Sequence, residues 1–80
     1  MYHVYFLKSE KDDGLYIGKT SDIKRRFYEH NSGKVQSTKS RVPLILLGYE
    51  SYETEAEAIE MEKEWKKGYR REKLKIRYNL

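Results

Sequence analysis

The sequence predicts a single α+β domain over residues 1–80, with elements in the order β-β-α-β-α-α. Three observations carry this. Two β-branched and aromatic segments, 2–8 and 15–19, flank an Asp-Gly turn, a strong hairpin signal. Thr54-Glu55-Ala56-Glu57 is a capping box that opens a strong helical pattern. Between these, Leu44-Ile45-Leu46-Leu47 is a continuous apolar run of strand length.

In the first segment, YHVYFLK, Val4 and Phe6 share one face, and His3, Tyr5 and Leu7 the other. Lys11-Asp12-Asp13-Gly14 is turn chemistry. The second segment follows antiparallel to the first, Leu15 and Ile17 pointing one way, Tyr16 and Gly18 the other. Ser21 or Asp22 can cap a helix over 23–30, which Asn31-Ser32-Gly33 end with residues that tolerate left-handed geometry. Residues 34–41, KVQSTKSR, read as a polar, basic loop. The sole proline, Pro43, precedes the apolar run, which suits a buried strand, and residues 48–51 leave that strand. The capping box starts a helix to about Lys67, Gly68 interrupts it, and the basic segment 69–78 forms a last short helix.

A chain of 80 residues leaves much of its surface exposed, so the core is small. The composition is 38% hydrophobic and 38% charged, but eight tyrosines, two phenylalanines and one tryptophan bury large areas per residue and favour a compact fold. The net charge of +4 suits nucleic acid, an anionic membrane or simple solubility. Cysteine is absent, which excludes a disulfide framework and a thiolate zinc site. No basic stretch followed by an apolar one opens the chain, and no apolar run approaches bilayer length. A soluble, cytoplasmic protein without membrane association is expected.

The stretch Gly14-Leu15-Tyr16-Ile17-Gly18-Lys19-Thr20 invites comparison with the nucleotide-binding P-loop. Its glycines are separated by three residues rather than four, and those three are bulky strand formers that cannot wrap a phosphate. The chain is also too short for the parallel sheet such a loop serves. No nucleotide cofactor is expected.

Several chemistry-bearing residues line up instead. Tyr5 lies on the outer face of the first strand, and Tyr16 and Gly18 on one face of the second. Arg26 and His30 are spaced i, i+4, so both emerge on one face of the first helix. On the second helix, Ala58, Met61, Trp65 and Ile59 form an apolar arc, and Glu62 falls inside it. A carboxylate there needs a partner: an arginine or a metal ion. By themselves Tyr5 and Tyr16 also read as a packed aromatic pair across the hairpin, and His30 as a helix C-terminal residue facing the dipole.

Taken together, these motifs resemble the GIY-YIG nucleases. His3-Val4-Tyr5 stands where the family has Gly-Ile-Tyr and keeps the tyrosine, and Tyr16-Ile17-Gly18 is a literal match. The helix IKRRFYEHN carries the family's arginine, Arg26, with His30 one turn on. EAIEME resembles the helix bearing the metal-binding glutamate, Glu62, and Tyr78-Asn79 the closing asparagine motif, at a longer distance from Glu62 than in the repair enzymes. The resemblance covers nearly the whole chain and is nearest to small standalone bacterial members. It is shared with the N-terminal nuclease domain of the excision-repair subunit UvrC.

The resemblance implies a three-stranded antiparallel sheet flanked by helices, and metal-dependent hydrolysis of DNA phosphodiesters. The substrates implied include branched or damaged DNA in repair or recombination. It implies one Mg2+ or Mn2+ on Glu62, with Arg26 on the scissile phosphate, and Tyr5 or Tyr16 as base with His30 as relay. Gly18, Lys19, Arg25, Lys34 and Asn79 are the implied substrate contacts. A rival expectation is a non-catalytic nucleic-acid-binding module that retains the fold. A third is an accessory protein that meets a partner through Trp65 and the last helix.

Overall fold

Ser9 organises the turn that follows the first strand. Its hydroxyl accepts from the backbone N–H groups of Lys11 and Asp12 at 3.1 and 3.2 Å and donates to the Arg41 carbonyl at 2.6 Å. In this computed structural model, which describes residues 1–80, β1 (Tyr2–Ser9) and β2 (Leu15–Thr20) form the hairpin. The turn is longer than a two-residue Asp-Gly turn, and Asp13, with φ 59°, takes the left-handed position. Arg41 grips Asp12 through two contacts, at 2.7 and 3.2 Å, tying the turn to the segment that precedes the third strand.

After the hairpin come α1 (Ile23–Asn31), β3 (Leu44–Tyr52), α2 (Glu55–Trp65) and α3 (Gly68–Arg77). The sheet order is β2-β1-β3 with both pairings antiparallel, the expected α+β fold. Asp22 caps α1 by accepting from the Arg25 N–H, and Thr54 and Glu57 complete the capping box of α2. α2 stops at Trp65, two residues before the expected Lys67. No helix is long and apolar enough to cross a membrane.

Because β1 is central, helices cover both of its faces, and Val4 through Leu7 are all buried. Val4 and Phe6 pack with Leu15, Ile17, Ala58, Trp65 and Leu74 beneath α2 and α3. Tyr5 and Leu7 pack with Leu44, Tyr16, Phe27 and Val42 on the α1 side. Tyr5 is therefore not on an outward face as the alternation alone suggested; it is 2% exposed.

β3 differs from its expected form. It is an edge strand, so Ile45 and Leu46 are exposed while Leu44 is buried. Residues 48–51 stay in the strand, because a bulge between Phe6 and Leu7 admits Leu47 as an extra residue and restores the pairing at Gly48. A Cβ on Gly48 would collide with the Tyr78 hydroxyl, so this glycine lets α3 close over the sheet.

Candidate active site

β1 and β2 place Tyr5 directly opposite Gly18. A Cβ at Gly18 would stand 2.6 Å from Tyr5 Cζ, so the bare backbone gives the phenol its place across β2. Tyr16 projects from the same face of β2, its ring 6.4 Å from that of Tyr5.

α1 then lowers His30 onto the pair. The imidazole is fully buried, with its ring centre 5.0 Å from that of Tyr16 in an edge-on arrangement. His30 Nε2 lies 2.8 Å from the Tyr5 hydroxyl and Nδ1 2.7 Å from Thr38 Oγ1. Arg26 adds charge to this network: its guanidinium donates to the Glu29 carboxylate at 3.2 Å and acts electrostatically on the Tyr5 phenol. With the Arg26 cation acting on the phenol oxygen's lone pairs, the Tyr5 proton is assigned to the contact with Nε2. The His30 proton is then assigned to Nδ1, donating to Thr38.

Electrostatics follow from this packing. Burial pushes the Tyr5 phenol up to about 12, opposed by the Arg26 guanidinium. Burial, reinforced by the Arg26 charge, pulls His30 down to about 4, so the ring is neutral at physiological pH and Nε2 can accept from the Tyr5 hydroxyl. Arg26 is held above its ordinary value first by the Tyr5 phenol, against burial. The negative charge of Glu62 is the smallest of the influences that raise Tyr5.

Glu62 is half-buried on α2, as its position in the apolar arc indicates, but Ile59 at the arc's edge is exposed. Its partner is Lys66, one turn on at 3.6 Å, not an arginine. No three His, Asp or Glu side chains gather anywhere in the structure. A single accessible carboxylate fits a magnesium ion that keeps most of its waters, so Glu62 alone would hold the ion by donor chemistry.

The implied substrate contacts are more scattered. Lys19 pairs with Glu55 at 3.3 Å, and Lys34 stacks over the Tyr28 ring at 5.8 Å on the exposed side of α1. The Arg25 side chain is exposed. Asn79 takes a left-handed conformation, φ 58°, just past α3, and no side-chain hydrogen bond ties it to the cluster. Tyr5, Tyr16, Gly18 and His30 are thus packed together with the Arg26 charge acting on the phenol, whereas Glu62, Lys34, Arg25 and Asn79 make no hydrogen bond to any of them.

Two further residues support this region, one at the imidazole and one at the start of β3. Thr38 is fully buried and fixes the imidazole from within a segment that reads as a polar loop. Asn31, read only as a helix-ending residue, clamps Leu44 by accepting from its N–H at 2.7 Å and donating to its carbonyl at 2.9 Å. No local pattern announces either role, since both partners are distant in sequence.

Comparison with known proteins identifies the family. The profile of the GIY-YIG catalytic domain matches residues 1–75. A UPF0213 protein of Haloquadratum walsbyi is 38% identical over 73 residues, 90% of this chain and 81% of that protein. A UPF0213 protein of Staphylococcus haemolyticus is 38% identical over 76 residues, 94% of this chain and 92% of that protein. The solution NMR structure of a UPF0213 protein from Bacillus halodurans superposes with a TM-score of 0.57 at 33% identity, covering 92% of this chain and 82% of that one. With the family profile spanning residues 1–75, nearly its whole length, this chain belongs to the GIY-YIG catalytic domain family.

Proposed function

We propose that the protein is a divalent-metal-dependent endonuclease that hydrolyses DNA phosphodiester bonds, including those of branched or damaged DNA. The observation that carries this reading is the buried hydrogen bond between Tyr5 and neutral His30, with Arg26 at the same phenol and Tyr16 packed on the imidazole. A core needs no such convergence of proton acceptors and a guanidinium, and a pure binding module gains nothing from the Glu62 carboxylate.

Each residue then has a chemical task. The partly exposed guanidinium of Arg26 presents a planar fork to the scissile phosphate and stabilises charge that develops there. A magnesium or manganese ion held by Glu62 would supply the further positive charge that phosphoryl transfer requires. Tyr16 is the better water-facing phenol: it is half-buried where Tyr5 is closed off. Tyr5, His30 and Thr38 hold the floor of the site. The 2.8 Å Tyr5–His30 contact also favours a second reading, in which Tyr5 takes the water's proton while passing its own to Nε2, so that no phenolate accumulates.

Nicking of supercoiled plasmid and of branched DNA with Mg2+ or Mn2+ tests the proposal. Wild type is expected to cleave, and Glu62→Ala and Arg26→Ala to lose roughly a hundredfold or more in rate. Equal activity in both variants would assign the cleavage to a contaminant. Binding that survives chelator without cleavage would favour the non-catalytic module. Between the phenols, Tyr16→Phe should be the more damaging change; a larger loss in Tyr5→Phe, together with a pH–rate profile that shifts in His30→Gln, would favour the second reading.

A further inference from the structure

The second strand lies at the edge of the sheet, so the backbone on its outer side has no strand partner. Along that side runs a groove of about 410 Å³ lined by Gly14, Leu15, Tyr16, Ile17, Arg41, Lys66 and Arg71. Gly14 and the first three residues of β2, Leu15 to Ile17, are consecutive and give the groove a length of roughly 10 Å. The others are cations, and they arrive from three separate parts of the chain: the segment before β3, the C-terminal cap of α2, and α3. The apolar members, Leu15 and Ile17, turn their side chains into the core, which leaves backbone, phenol and cations as the accessible lining. Such a lining suits an extended polyanion rather than an apolar ligand.

The three cations are not equally engaged. Arg41 is paired with Asp12 and Lys66 with Glu62. Arg71 has no carboxylate partner; its one hydrogen bond goes to the Leu15 carbonyl at 3.4 Å, although the side chain is half-buried. A half-buried guanidinium with most of its donors unfilled, facing a groove that contains Tyr16, is equipped to receive phosphate oxygens. Lys66 adds a second charge and connects the groove to Glu62.

We propose that the outer edge of β2 is a phosphodiester-binding groove in which Arg71 and Lys66, backed by Arg41, hold the backbone of the substrate strand beside Tyr16. This rests on the nuclease reading for the identity of the strand. The groove contacts phosphates, not bases, and so positions the substrate without selecting sequence.

The test is equilibrium binding of fluorescein-labelled DNA oligonucleotides in chelator, across a salt series, for wild type, Arg71→Ala and Lys75→Ala. Lys75 is an α3 cation outside the groove, paired with Glu72. Arg71→Ala should weaken binding roughly fivefold on every sequence tried and reduce the salt slope by about one. Lys75→Ala should change neither by a comparable amount. Thermal melts establish that both variants are folded. Wild-type binding should also fall when methylphosphonate linkages replace the charged phosphates. Equal behaviour of the two variants, an Arg71 effect confined to particular sequences, or no DNA binding by wild type at low salt would each overturn the groove. Because no step needs cleavage, an Arg71-dependent affinity without nicking would leave the groove standing and remove the nuclease reading. Nicking with unchanged Arg71→Ala affinity would do the reverse.

Discussion

The Tyr5 hydroxyl and His30 Nε2 meet at 2.8 Å in a buried contact between residues 25 positions apart in the chain. One end is fixed by the central strand and the other by α1 and Thr38, so the contact joins the first helix to the sheet as well as forming the heart of the site. Tyr5→Phe keeps the ring but leaves Nε2 of a fully buried imidazole without its partner. That should cost about 1–3 kcal/mol, read as a fall in the thermal midpoint.

The depressed His30 pKa makes stability depend on pH in a defined window. The folded group titrates at about 4, against an ordinary value of 6.5, so between these values the unfolded chain binds more protons than the folded one. The stabilisation is complete above the unfolded value and is lost as pH falls toward the folded one. Thermal melts across that window should show a declining midpoint for wild type and a flatter profile for His30→Gln.

Gly18→Ala puts a methyl group 2.6 Å from Tyr5 Cζ, in a place where the ring is pinned by His30 and buried on all sides. Overpacking of this kind should lower stability by about 1–3 kcal/mol. It should also reduce nicking activity beyond that loss, because the phenol must tilt away from the imidazole. A thermal melt and a nicking assay on the same preparation separate the two effects.

Asn31→Ala removes both hydrogen bonds to the Leu44 backbone and frees the start of β3 from α1. The expected cost is about 2 kcal/mol, from two lost bonds and backbone groups left to find water. Asn31→Asp restores only the acceptor and should recover part of the loss in a denaturant titration.

Glu62→Gln is expected to behave oppositely. The Lys66 pair it breaks is a partly exposed one-turn contact at 3.6 Å, so stability should change by less than about 1 kcal/mol. Nicking should nevertheless fall to background if the carboxylate holds the metal. A stable, inactive variant is therefore the expected outcome, checked by melt and plasmid assay together.

The features legible in the sequence are local ones. Periodicity placed Tyr5, Tyr16 and Gly18 on strands of a hairpin, and i, i+4 spacing put Arg26 and His30 on one helical face. Side-chain capping narrowed the start of α1 to Ser21 or Asp22, of which the structure uses Asp22, and marked Thr54 for α2, because a cap and its recipient N–H lie within a few residues. Even the α2 glutamate could be located by angle alone.

Strand order, by contrast, is not a local property. The run Leu44–Leu47 is apolar enough for a central strand, yet β1 takes that place and β3 the edge, exposing Ile45 and Leu46 and keeping Gly48 in the ladder. The same choice buries Tyr5 by covering both faces of β1. It also brings Thr38 from a polar loop to the imidazole, and turns the free side of β2 toward Arg71. Sequence by itself determined which side chains each element carries, since φ/ψ preferences, caps and periodicity act over a few residues. Only the tertiary structure decided which of them meet, because contacts across tens of residues follow from how the sheet and helices share one small core.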